Sequence, residues 1–93
     1  MIRGFRDKET EQLFHRQPVK KFARPLQQSA LRKLLLLDAA ELLDDLRVPP
    51  GNRLEKLSGS RRGQYSIRVN EQWRICFRWS EGNADDVEIT DYH

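Results

Sequence analysis

Three runs in the C-terminal half alternate apolar and polar residues with a period of two: Tyr65, Ile67, Val69; Trp73, Ile75, Phe77, Trp79; and Val87, Ile89. Successive side chains on a strand point to opposite faces, so this spacing predicts three half-buried strands. The polar breaks Asn70-Glu71-Gln72 and Ser80-Glu81-Gly82-Asn83 read as turns, which makes the three runs an antiparallel meander. A one-residue slip would send every side chain to the wrong face, so apolar positions must meet apolar ones. Val69 then faces Trp73, Ile67 faces Ile75 and Tyr65 faces Phe77, while in the second hairpin Phe77 faces Val87 and Ile75 faces Ile89. Trp73, Trp79 and Tyr65 share this apolar parity, which assigns them to the core rather than to base-stacking platforms.

The first half of the chain follows a different period. Ile2 to Phe5 reads as a short strand, and Asp7 as an N-cap, with Glu9 and Glu11 where a helix N-terminus favours negative charge. A first helix is predicted through about His15, a residue given a surface or packing role. Gln17-Pro18 breaks that helix, because the residue before proline is driven out of the α region. A second helix is predicted from Pro25 to Arg47, with Leu31, Leu34, Leu35, Asp38, Leu42 and Leu46 tracing steps of three and four. This stripe is too short and too broad for a zipper and is read as core. Pro49-Pro50-Gly51 ends the helix, and residues 51–63 read as a loop carrying Arg53, Lys56, Arg61 and Arg62. Helices first and strands afterwards make an α+β protein, and 93 residues suffice for one compact domain, 1–93.

Composition sharpens this picture in two ways. The net charge is only +3, yet residues 1–33 hold nine basic and three acidic side chains, and residues 51–78 hold seven and two. Basic patches draw polyanions through steering and counterion release, leaving single-stranded RNA, DNA phosphates or an acidic protein segment as partners. The single cysteine, Cys76, has no intramolecular disulfide partner and no metal-ligand spacing around it, which fits a reducing cytoplasmic setting. Met1-Ile2-Arg3 leads directly into charged sequence without a signal-peptide core, and the longest apolar run, Leu34 to Leu37, is far short of the ~20 residues of a membrane span. No membrane association is expected, and neither a metal nor another cofactor.

The polar face of the meander gathers the candidate chemistry. The register sets Arg68 opposite Arg74, a like-charged pair that a bound anion would relieve. It also puts Thr90 beside Arg74 and brings Tyr92 to the same face. The sequence ends in Asp91-Tyr92-His93, three proton-handling groups in succession. Histidine has an unperturbed pKa of about 6.5, tyrosine donates a hydrogen bond, and a carboxylate orients or charges its neighbour. Regular pairing would turn Asp91 and His93 to the apolar side, so the strand is expected to bend, bulge or end near Asp91, freeing His93 to fold back.

Several segments resemble the HigB-type toxins of bacterial toxin–antitoxin modules, within the RelE/ParE superfamily. They are the opening Met1-Ile2-Arg3, the stretch Pro50-Gly51-Asn52-Arg53-Leu54-Glu55-Lys56-Leu57-Ser58-Gly59, the run Tyr65-Ser66-Ile67-Arg68-Val69-Asn70, the run Gln72-Trp73-Arg74-Ile75-Cys76-Phe77, and the terminal Asp91-Tyr92-His93. The resemblance spans essentially the whole chain. It implies two N-terminal helices packed on a small curved antiparallel sheet, and a metal-independent endoribonuclease that cuts messenger RNA on the ribosome and inhibits translation. It further implies that Arg74, Asp91, Tyr92 and His93 stand at catalytic positions, and that Arg53, Lys56, Arg61, Arg62 and Arg68 contact RNA. Where some relatives carry a histidine and a lysine in the basic loop, this chain has Glu55 and Ser58, so a second general base or phosphate clamp is either missing or replaced by Glu55, the candidate base, and Lys56. The implied partner is a helix-turn-helix antitoxin of HigA type, with operator DNA reached only through the antitoxin complex. Two other readings stay open at this level: a ParE-like inhibitor of gyrase without nuclease activity, and a basic module that binds RNA or antitoxin without chemistry.

Overall fold

The computed structural model describes residues 1–91. Two helices, α1 (Lys8–Phe14) and α2 (Arg24–Ala39), precede four strands: β1 (Glu55–Lys56), β2 (Tyr65–Arg68), β3 (Arg74–Ser80) and β4 (Asn83–Thr90). The strands form one antiparallel sheet in the order β1-β2-β3-β4. Its register follows apolar matching up to Cys76: Tyr65 faces Phe77, Ile67 faces Ile75, Arg68 faces Arg74, Ile75 faces Ile89 and Arg74 faces Thr90, but Phe77, expected to face Val87, falls where the pairing shifts and has no such partner. Between Cys76 and Arg78 the β3–β4 pairing shifts by one residue, and Asp86 there takes φ +51°. A bulge of this kind bends and twists the sheet.

The helices cover one face of the sheet. Leu26, Ala30, Leu34 and Leu37 of α2 and Leu13 of α1 join Ile67, Ile75, Phe77, Val87 and Ile89 in a single buried cluster. Thr10, fully buried on α1, accepts the Ile89 backbone N–H at 3.0 Å and locks the short helix to β4. Trp73, Trp79 and Tyr65 are partly buried against this core, with the Trp73 ring edge-on to Phe22 at 5.6 Å. His15 is exposed at the end of α1, its ring edge-on to Phe14.

The helical segment departs from the expected boundaries. α2 stops at Ala39 rather than Arg47, Ala40 is extended, and Leu43–Arg47 forms a separate 3-10 turn. Asp45 Oδ2 accepts the backbone N–H groups of Glu41 and Leu42, both at 3.0 Å. Such local side-chain bonds compete with helix continuation. The buried stripe also differs, for Leu35 and Leu42 are exposed at 39% and 66%. Leu34 to Leu37 is apolar at every position, so periodicity alone selects no face there, and it is the packing of Ala30 and Leu37 that sets the roll of the helix. Asp38 lies at the edge of the stripe and accepts the Ile2 N–H at 2.8 Å.

Residues 1–6 run beside β4 through isolated parallel bridges, Ile2 to Ala84 and Phe5 to Val87, rather than as a full strand. The β4 bulge interrupts a regular ladder there, and the Arg3 guanidinium, on Asp85 at 2.6 and 3.1 Å, fastens the segment. Residues 51–63 are more structured than a loop. They contain the two-residue β1, paired Glu55 to Ser66 and Lys56 to Tyr65, and two 3-10 turns, the first of which begins at Pro50. Both β1 residues are exposed, so no apolar alternation could announce the strand. Asn52, fully buried, anchors the segment: its amide donates to the Leu46 and Val48 carbonyls, and its oxygen accepts from Lys33 Nζ at 2.5 Å. Gly63 takes φ +89°, a conformation that residues with a Cβ rarely adopt, where the segment passes against the Arg78 guanidinium of β3.

Candidate active site

With Ile67, Ile75, Phe77 and Ile89 turned to the helices, strand alternation sends Ser66, Arg68, Arg74, Cys76, Glu88 and Thr90 to the other face. Arg74 opens β3 between Arg68 on one side and Thr90 on the other. Its guanidinium is held at two points. Nε donates to Ser66 Oγ at 2.8 Å, and Nη2 donates to the Arg53 carbonyl at 2.7 Å. Glu55 Oε1 stands 4.0 Å from Nη2, and the Arg74 side chain is 14% exposed. Arg53 sits in the left-handed region at φ +45°, immediately after the turn anchored by Asn52. Arg68 Nε donates to the Asn70 carbonyl at 3.1 Å, within the turn that joins β2 and β3.

These residues frame an open cleft of about 480 Å³ lined by Arg53, Glu55, Arg68, Asn70, Glu71 and Arg74. Four residues singled out from the sequence, Arg53, Glu55, Arg68 and Arg74, therefore meet in one place. Next to it, a cleft of about 310 Å³ is lined by Glu55, Lys56, Leu57, Ser58, Ser60 and Arg61. Glu55 borders both, so a basic track continues from the arginine cleft across the short edge strand. Arg62 is exposed and lines neither cleft. Arg61 has a structural engagement as well: Nη1 donates to Glu88 Oε1 at 2.8 Å and to Gln64 Oε1 at 3.2 Å, which ties the basic loop to β4.

β4 ends at Thr90, where a bend or end was expected, and Asp91 follows as an exposed residue. Asp91 Oδ2 accepts from Gln72 Nε2 at 3.1 Å, so the chain leaves the sheet beside the β2–β3 turn that walls the cleft. Tyr92 and His93 lie outside the described residues. Cys76 is fully buried beneath this face, and burial pushes its thiol pKa up to about 11. It is a protonated packing residue at neutral pH, not a nucleophile. Among the described residues no three His, Cys, Asp or Glu side chains gather closely enough to hold a metal ion. Among them, too, no helix is long and apolar enough to cross a membrane.

Two residues central to this geometry escaped the sequence reading. Ser66 carried a signal, since the same register that faces Arg68 with Arg74 places Ser66 diagonally beside Arg74 on the polar face. Asn52 carried none, because a buried asparagine in a loop has no periodicity to reveal it. A further cleft of about 520 Å³ lies between the helices, where Arg16, Lys20 and Arg24 join Leu13, Val19 and Leu31 in its lining.

The architecture is that of a RelE-like toxin. It superposes on a chain of the YoeB–YefM complex from Staphylococcus aureus with a TM-score of 0.57 at 16% identity, covering 100% of this chain and 95% of the other. At that identity the likeness concerns the fold. Residues 3–93 match the family model described as RelE-like toxin of type II toxin-antitoxin system HigB, and the chain belongs to that family. It is 46% identical over 85 residues to Toxin HigB-1 of Vibrio cholerae serotype O1, covering 90% of each chain. It is also 42% identical over 41 residues to Endoribonuclease HigB of Proteus vulgaris, covering 44% of this chain and 45% of that one. As the toxin of a two-component system, it has an antitoxin as partner.

Proposed function

We propose that this protein, as a single toxin domain spanning 1–93, is an endoribonuclease that cuts messenger RNA on the ribosome and so halts translation. The observation that carries this reading is the Arg74 guanidinium fixed in a cleft it shares with Arg53 and Arg68. The relative from Proteus vulgaris is named an endoribonuclease. RNA supplies its own nucleophile. The ribose 2′-hydroxyl attacks the adjacent phosphorus, the P–O2′ bond forms, the P–O5′ bond breaks, and the proton lost from the 2′-oxygen is balanced by one delivered to the 5′-oxygen. The protein must align the groups, move those protons and neutralise the phosphorane.

Arg74, with Arg68 opposite, supplies the positive charge. His93 acts as general acid or base, supported by Tyr92 and Asp91. Two residues span at most about 7 Å when extended, and Asp91 is anchored to Gln72 at the cleft wall, so the tether is short. Arg53, Lys56 and Arg61 hold the RNA backbone along the track, the exposed Arg62 adds a contact outside it, and Glu55, which borders both clefts, serves as a second base. The reaction requires no metal or other cofactor in this scheme. The partner antitoxin is of the helix-turn-helix HigA type, operator DNA is engaged through the complex, and the site of action is the cytoplasm.

Mapping of new 5′ ends in cellular RNA after induction tests the activity. Cuts inside codons are expected; intact messages accompanied by supercoiling defects would instead indicate a gyrase inhibitor, and neither effect would leave a binding module without chemistry. His93→Ala is expected to slow cleavage by about 10²–10⁴-fold, the usual contribution of a positioned acid–base group. Cleavage at the parental rate by that variant would remove the imidazole from the mechanism.

A further inference from the structure

We infer that Ser66 is a positioning residue: its buried hydroxyl, with the carbonyl of Arg53, aims the Arg74 guanidinium at the scissile phosphate. The inference rests on the role proposed for Arg74. Ser66 is 0% exposed in the middle of β2, flanked by Glu55 on β1 and by Cys76 on β3. It accepts from Arg74 Nε at 2.8 Å, while the Arg53 carbonyl accepts from Nη2 at 2.7 Å. Acceptors on two different nitrogens fix both the rotation of the planar fork and its tilt. Nη1 has no acceptor among the described residues and is left to meet a phosphate oxygen.

Two forces would otherwise displace the guanidinium. Arg68 faces it across the strand pair and repels it, and the Glu55 carboxylate, 4.0 Å from Nη2, draws it toward an ion pair that would spend its charge. The Ser66 hydroxyl is a neutral acceptor, so it orients the cation without neutralising it. Preorganised charge is what stabilises a transition state, because nothing then has to reorganise as the phosphorane forms. With Ser66 0% exposed, its effect on the reaction passes through Arg74.

The experiment is single-turnover cleavage of a defined mRNA on purified ribosomes, comparing the parent with Ser66→Ala, Ser66→Thr, Arg74→Ala, Arg74→Lys and the Ser66→Ala/Arg74→Lys pair. Ser66→Ala is expected to lower the maximal rate by about tenfold, the effect of losing one hydrogen bond to a charged group, with half-saturation unchanged within about twofold. Ser66→Thr, which keeps the hydroxyl, is expected to restore most of the rate. In the Arg74→Lys background the serine change is expected to cost less than about twofold, because an ammonium has no fork to orient. Equal losses in both backgrounds would mean a merely structural role and overturn the inference. Parental cleavage by Ser66→Ala while Arg74→Ala is inactive would overturn it and leave the reading of Arg74 intact. Parental cleavage by Arg74→Ala would remove the reading and the inference together. Should Ser66→Ala fail to fold, Ser66→Cys keeps the volume with a weak acceptor and supports the same comparisons.

Discussion

Replacing Arg74 with alanine lowers the rate of mRNA cleavage by about 10²–10³-fold, the loss that follows removal of one preorganised donor from a developing oxyanion. The protein stays folded, because this side chain lies on the face away from the helices and outside the buried cluster. Two opposing effects on stability accompany the change. Its bonds to Ser66 and to the Arg53 carbonyl are lost, while the like-charged pairing with Arg68 is relieved. Circular dichroism and thermal unfolding check the fold, and cleavage of mRNA on purified ribosomes checks the rate. Arg74→Lys is expected to recover only part of the activity, since a point charge cannot occupy both acceptors as the planar fork does. A folded Arg74→Ala protein that cuts at the parental rate would take the arginine out of the chemistry.

Phe77→Ala destabilises the protein by about 3–5 kcal/mol, the range for truncating a buried phenylalanine. Phe77 is fully buried, stacks with the Tyr65 ring at 6.2 Å and meets the Trp79 ring edge-on at 6.3 Å. It also stands at the β3–β4 bulge, where the sheet bends against the helices. Small domains have only about 5–15 kcal/mol of stability, so the midpoint of thermal unfolding is expected to fall by roughly 12–40 °C. Leu34→Ala and Leu35→Ala supply the internal comparison. Leu34 is 0% exposed and Leu35 is 39% exposed, so the first is expected to cost about 2–5 kcal/mol and the second well under that. Denaturant unfolding distinguishes them, and equal losses would return Leu35 to the core face predicted from its spacing.

The sheet was legible because its constraint is local and binary. Alternation through Tyr65, Ile67, Ile75, Phe77 and Ile89 allows one register that turns the apolar residues to the helix side, and up to the bulge that register also fixes the Arg68–Arg74 pair and the Thr90 neighbour. The end of β4 before Asp91 was legible for the same reason, since continued pairing would have buried a carboxylate. The α2 boundary was not. Leu34 to Leu37 offers apolar residues to every face, and the competition that ends the helix comes from Asp45, six residues beyond Ala39. β1 was hidden as well, because two exposed residues owe their strand geometry to pairing with β2.

Taken alone, the order of residues determined the α+β class, the antiparallel meander and its register, and which arginines share a face; burial and the two-residue period are properties of near neighbours along the chain. The tertiary structure alone decided that Arg53, Glu55, Arg68 and Arg74 frame one cleft, that Arg61 answers to Glu88, and that Ser66 and a backbone carbonyl steady the guanidinium. Those contacts join segments up to 27 residues apart, and their directions depend on a buried asparagine and a left-handed residue. No repeating pattern encodes such contacts, because each depends on where the packed elements bring two distant stretches of chain together.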